Sequence, residues 1–199
     1  MIFAVYVSLL LAAILIPFGL ATSSSPHTLS ARAMPDNTVS IMSANDFWYV
    51  VLDSPRNVGE NIGDSETPGG TKAYCTKSAR TSDSQGEISP NFWRDVEYKT
   101  GKGAQGGRFA QLTGCINPKQ LDRLNPSDSG GQYDSSGGSG GRGNPQGSVC
   151  TGFRHYVELI EPRGPRACLK CCDDAVDCPV NKDTQGCPNV IPGNYFNCR

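Results

Sequence analysis

The chain has 199 residues, nine of them cysteine, and a formal net charge of −1. That length suits one domain, since most domains run to roughly 100–150 residues. A charge so close to neutral supplies no basic field for nucleic acid or an anionic membrane surface, and both are set aside as partners.

From Met1 to Ala21 the sequence is uncharged and nearly all apolar, and it then turns to Thr22-Ser-Ser-Ser-Pro26, which is the profile of a signal peptide. Gly19 and Ala21 have the size and spacing that signal peptidase selects, so cleavage is expected after Ala21. A basic n-region is missing, and the run is close to the roughly 20 residues of a membrane-spanning helix, so a retained anchor is the alternative. Pro17 and the lack of a flanking basic cluster weigh against it. The expected organisation is a signal peptide over 1–21, a flexible Ser-, Thr-, Ala- and Pro-rich segment over 22–44, and a single cysteine-rich extracellular domain over 45–199.

Phe47-Trp-Tyr-Val-Val-Leu52, closed by Asp53-Ser-Pro55, predicts a buried strand ending in a turn. Phe92-Trp-Arg-Asp-Val-Glu-Tyr-Lys99 alternates apolar and polar residues from Arg94 onward, and Arg108-Phe-Ala-Gln-Leu-Thr113 follows a glycine-rich link. The pair predicts a β-hairpin. Residues 125–147 are Gly-, Ser-, Asp- and Asn-rich and are expected to run over the surface. His155-Tyr-Val-Glu-Leu-Ile-Glu161, stopped by Pro162, predicts a further strand. The stretch from Ala167 to Arg199 is expected to begin with a short helical turn over Cys168–Cys172 and to owe its order to bridges. The fold class is therefore β-rich, a small α+β domain stapled by disulfides, with long Gly/Ser loops.

Cys75, Cys115, Cys150, Cys168, Cys171, Cys172, Cys178, Cys187 and Cys198 would meet an oxidising lumen after export, so disulfides are the default. Nine is odd, which leaves at least one thiol free, capped or bridged to another chain, and a disulfide-linked dimer is one outcome. A zinc site around Cys168-x-x-Cys171-Cys172 has suitable spacing but the wrong compartment. A thiol-oxidoreductase reading of Cys168-x-x-Cys171 is weakened by the crowding of cysteines around it. No metal and no cofactor is expected.

Gly101-Lys-Gly-Ala-Gln-Gly106 has the G-x-G-x-x-G spelling, yet a strand-like run follows it where a dinucleotide site needs a helix, so it reads as a hairpin turn. His27 falls in the segment expected to be flexible, which leaves His155 as the histidine in the folded part, without a visible nucleophile. Asp122, Asp128, Asp134, Glu158 and Glu161 are possible halves of a glycosidase-like acid pair, and no spacing selects one pair. Trp48 lies in an apolar run and reads as core. Trp93 is the better candidate for stacking on a sugar ring, although a strand aromatic is usually core as well. The sequence contains no N-glycosylation sequon, since Asn125 precedes Pro126.

Asp46-Phe-Trp, Ala73-Tyr-Cys-Thr-Lys77, Gly130-Gly-Gln-Tyr-Asp134, Gly143-Asn-Pro-Gln-Gly147, Ala167-Cys-Leu-Lys-Cys-Cys172, Asp183-Thr-Gln-Gly-Cys187 and Pro192-Gly-Asn-Tyr195 occur in that order. Together they resemble the secreted fungal proteins known as macrophage-activating glycoprotein. The resemblance spans most of the chain after the signal peptide, through motifs that are short singly and specific only jointly. It implies a secreted or cell-surface fungal protein and carries over no catalytic or ligand-binding residue, although it draws attention to Asp134, for which a structural turn is the plainer role. Where the family pattern has a cysteine after its Asp-Phe opening, this chain has Trp48, which accounts for an odd count. Cys115, Cys150 and Cys171 stand outside the pattern, and a Cys115–Cys150 bridge across the glycine-rich loop is the pairing expected.

No complete catalytic constellation is visible, so the reading is a non-enzymatic extracellular or cell-wall-associated interaction protein. Its candidate ligand-binding residues are Trp93, Asp134 and His155, and its partner a cell-wall glycan or a host protein. A carbohydrate-binding or carbohydrate-cleaving protein and a secreted host-directed effector are the alternatives.

Overall fold

The computed structural model describes residues 38–41 and 50–199. Residues 1–37, over which the signal peptide and most of the flexible segment are expected, and Trp48 lie outside the described residues. Ten strands carry the fold: β1 (Thr38–Ile41), β2 (Val50–Pro55), β3 (Thr71–Cys75), β4 (Gly86–Glu87), β5 (Trp93–Lys102), β6 (Arg108–Ile116), β7 (Gly131–Asp134), β8 (Val149–Cys150), β9 (His155–Glu161) and β10 (Arg166–Cys172). One four-residue helix, α1 (Cys187–Val190), follows them. The chain is β-rich, a small α+β fold.

The strands form two five-stranded sheets, ordered β4-β3-β2-β1-β8 and β5-β6-β10-β9-β7. Val39, Ile41, Leu52 and Tyr74 of the first share one apolar cluster with Leu112, Tyr156, Ile160 and Leu169 of the second, so the sheets enclose a common core. The β5–β6 hairpin has the expected pairing, Val96 opposite Gly114 and Tyr98 opposite Leu112. Gly101 to Gly106 lies at its turn, with Gly106 at a positive φ of 84°.

The inner strands of the second sheet, β6, β10 and β9, are buried on both faces, while the edge strand β5 is largely exposed. Along β10, Ala167, Leu169 and Cys171 face the core between the sheets, while Cys168 and Cys172 join a second cluster with Val157, Leu159, Cys178, Cys187, Val190 and Ile191 on the far face. Successive strand residues point to opposite faces, and a strand covered on both sides becomes a nearly continuous apolar run. That explains the first correction: Cys168–Cys172 is strand, where a helical turn was expected. The helix lies further on, at Cys187.

The bridges follow the same geometry. Cys168–Cys187, Cys172–Cys178 and Cys115–Cys198 fasten residues 173–199 over the far face, whereas Cys150–Cys171 ties β8 to β10 across the core. The expected Cys115–Cys150 bridge is not formed. On β6, Ala110, Leu112 and Ile116 face the core, so Cys115 points the other way, while Cys150 belongs to the core cluster. Two side chains on opposite faces of a sheet cannot meet. Cys75 takes part in none of the four bridges and is buried beside Ala73 and Ala79.

Three boundaries also move. β1 lies within 22–44, the segment expected to be flexible, and its residues Thr38–Ile41 are buried, so the folded domain reaches upstream of residue 45. β2 runs through Pro55, beyond the expected turn at Asp53, with Asp53 paired to Ala73. Inside the glycine-rich stretch, Gln132, Tyr133 and Asp134 are buried in β7, which pairs with β9. This short strand has too few apolar residues to stand out in so polar a sequence.

Candidate functional site

The second sheet has β5 at one edge and β7 at the other, and this separates the candidate residues. Trp93 opens β5, Asp134 closes β7, and His155 begins β9 beside β7. Asp134 and His155 are neighbours through Ser136, and Trp93 belongs to the opposite edge strand.

The β7 edge has the residue types of a Ser–His–Asp triad in a different arrangement. Ser136 Oγ is 3.3 Å from His155 Nδ1. The Asp134 carboxylate does not orient the imidazole: its Oδ1 accepts the backbone N–H of Ser136 at 2.8 Å and that of Gly137, and its Oδ2 accepts Gln132 Nε2 at 3.0 Å. Its backbone N–H and carbonyl pair with Asn144, and Ser148 Oγ donates to that carbonyl at 2.8 Å. Asp134 therefore pins the glycine-rich loop to the sheet, the turn-bracing use of aspartate. A triad needs the third group on the base, and this carboxylate is spent on loop amides.

The other acids are also engaged. Asp122 accepts the Tyr74 hydroxyl at 2.6 Å, and burial, with Asp122 beside it, pushes that tyrosine up to about 12. Asp128 accepts the N–H groups of Ile62 and Gly130. Glu161 Oε2 accepts Arg166 Nε at 2.7 Å, while its Oε1 accepts the N–H of Cys187. Glu158 is buried between the sheets, where Oε2 accepts the N–H of Asp53 at 3.2 Å. None of these pairs faces a cleft in the manner of a glycosidase.

The β5 edge is different. A groove of about 670 Å³ is lined by Ile88, Pro90, Trp93 and Val96, with Lys77, Glu87 and Arg94 supplying charge. It lies where the first residues after β3 and the β4–β5 connection meet the start of β5. Trp93 is half-buried, packs edge-to-face on Phe92 with ring centroids 5.5 Å apart, and has no hydrogen-bond partner for its buried indole N–H among the described residues. A tyrosine or tryptophan normally pairs its polar atom when buried, so this donor is costly unless something else meets it.

A β-bulge sets the geometry. Trp93 pairs with Ile116 and Asp95 with Cys115, so one extra residue enters β5. The extra residue shifts the alternation, and Trp93, Val96 and Tyr98 all pack against the core cluster. Gly114 allows the bulge: a Cβ there would collide with the Asp95 carbonyl oxygen. Arg94 donates to the carbonyls of Asn197 and Arg199 at 2.7 and 3.0 Å, holding the C-terminal segment beside the groove. Of the groove, only Trp93 was singled out by sequence. Glu87 comes from β4 and Lys77 and Ile88 from the connections after β3 and β4, and nothing local marks them as its neighbours.

The chain matches no protein family, no curated protein and no solved structure.

Proposed function

We propose that this protein is a secreted, non-enzymatic glycan-binding protein of the extracellular space or cell wall, with the Trp93 groove as its binding surface. The observation that carries this reading is the half-buried Trp93 lining a groove of about 670 Å³ beside Lys77, Glu87 and Arg94. An aromatic face gives apolar contact to the C–H groups of a pyranose, and charged or amide donors and acceptors meet its hydroxyls. The engaged state of Asp134, Glu161 and Ser136 supports binding without cleavage. Four disulfides suit an oxidising compartment, which supports secretion. The fungal origin implied by the resemblance makes a wall polysaccharide the partner to test first.

The test is retention of the secreted protein on insoluble chitin and β-glucan, followed by a reducing-sugar assay. Retention without sugar release is expected, and Trp93→Ala is expected to weaken it by at least tenfold, about 1.4 kcal/mol. His155→Ala should leave retention unchanged. Equal retention of the Trp93 variant, or release of reducing ends, contradicts the reading. Binding to host-cell glycoprotein with none to polysaccharide would favour the host-directed effector instead.

A further inference from the structure

Three of the four strands that end the two sheets are short. β4 and β8, at the ends of the first sheet, have two residues each, and β7, at one end of the second, has four. β5, at the other end, runs for ten residues and has β6 on one side only. An edge of that length presents a row of backbone N–H and C=O groups to any further strand, and proteins commonly prevent such pairing by shortening the edge or charging it. β5 is charged, and the order of its charges points to a partner.

Val96 and Tyr98 pack against the core cluster, so Glu97 and Lys99 point to the opposite face. Glu97 is partly exposed and Lys99 exposed, and among the described residues neither belongs to an ion pair. Lys99 of β5 and Lys170 of β10 flank Gln111 of β6. Burial, with Lys99 adding to it and Asp177 opposing, holds the Lys170 ammonium below the usual lysine range. Lys99 thus ends a row that already holds one lysine, and an acid opposite it is favourable.

A second copy of β5 supplies that acid. In an antiparallel pair with its two-fold axis at Tyr98, Glu97 of each copy lies opposite Lys99 of the other, so the charge pair forms twice. On the core-facing side, Val96 falls opposite Thr100. Moving the axis to Glu97 or to Lys99 sets that residue against itself, and moving it to Val96 sets Asp95 against Glu97, so the charges select one register. The bulge between Trp93 and Asp95 ends the ladder on one side and the hairpin turn ends it on the other, which leaves Trp93 outside it. Arg94, which would otherwise approach Lys102 of the second copy, is turned to the carbonyls of Asn197 and Arg199. We propose that the exposed edge of β5 is a self-association surface, through which two copies of this chain join their second sheets into one continuous sheet.

The test is sedimentation velocity of the intact protein, with its disulfides formed, from micromolar to near-millimolar concentration. The wild type is expected to approach twice the monomer mass as concentration rises, while running as a single chain on a denaturing gel without reduction. Glu97→Lys and Lys99→Glu each set like charges opposite one another at both symmetric positions, and each should weaken association by about tenfold. The double variant Glu97→Lys/Lys99→Glu should recover it. So should an equimolar mixture of the two single variants, in which every reversed residue meets its opposite, and this recovery shows that both singles are folded. A wild type that stays monomeric throughout, single variants that associate as the wild type does, or a double variant and a mixture no better than the singles overturns the proposal. So does a dimer that survives the denaturing gel, which would place the contact at a cysteine.

Discussion

The two faces of the second sheet are covered in different ways. Toward the first sheet, a broad apolar cluster built on Leu112, Ile160 and Leu169 is supplemented by one bridge, Cys150–Cys171. Away from it, residues 173–199 contribute a four-residue helix and three bridges, with Val190 and Ile191 as their chief apolar anchors. One face is held mainly by packing and the other by covalent closure. Where a segment is too short and polar to bury much area, cross-links that restrict the unfolded chain take over the task.

The largest expected effect separates the two modes of cover. Replacing Cys115 and Cys198 together by serine opens a loop spanning 83 residues, for which chain entropy gives about 4.5 kcal/mol. Denaturant unfolding checks this, and limited proteolysis should show cleavage after Cys172 before cleavage within the sheets. Leu169→Ala, on the packed face, is expected to cost about 2–5 kcal/mol by cavity formation, with no early exposure of residues 173–199. A smaller effect is expected for the pair Cys172 and Cys178, whose separation is only 6, at about 2 kcal/mol. Asp134→Ala should cost about 1–3 kcal/mol, because the loop amides it satisfies would lose their acceptor. It should leave intact the glycan retention proposed for the Trp93 groove.

Much of the sandwich was legible. The hairpin at Phe92–Lys99 and Arg108–Thr113 and the strand at His155–Glu161 announce themselves by alternation and by Pro162, because those features are local. The helix expected at Cys168–Cys172 shows the limit of that reasoning. A strand buried on both faces loses its alternation, and only the identity of the layer lying over it would restore the pattern. Disulfide pairing was hidden for the same reason, since which face Cys115 takes depends on register. Trp93 was visible as an aromatic in a strand, but its groove is completed by Glu87 of β4 and by Lys77 and Ile88 in the connections that follow β3 and β4. The Asp53–Glu158 contact joins residues 105 positions apart, and no sequence pattern predicts that separation.

The most direct test of this two-face account is peptide mapping of the protein without reduction, with fragmentation between Cys171 and Cys172 to tell those neighbours apart. The account predicts four links, Cys115–Cys198, Cys150–Cys171, Cys168–Cys187 and Cys172–Cys178, with Cys75 in none of them. A Cys115–Cys150 link, or a link of Cys171 to any cysteine of residues 173–199, would contradict it, because the faces assigned to β6 and β10 would then be reversed.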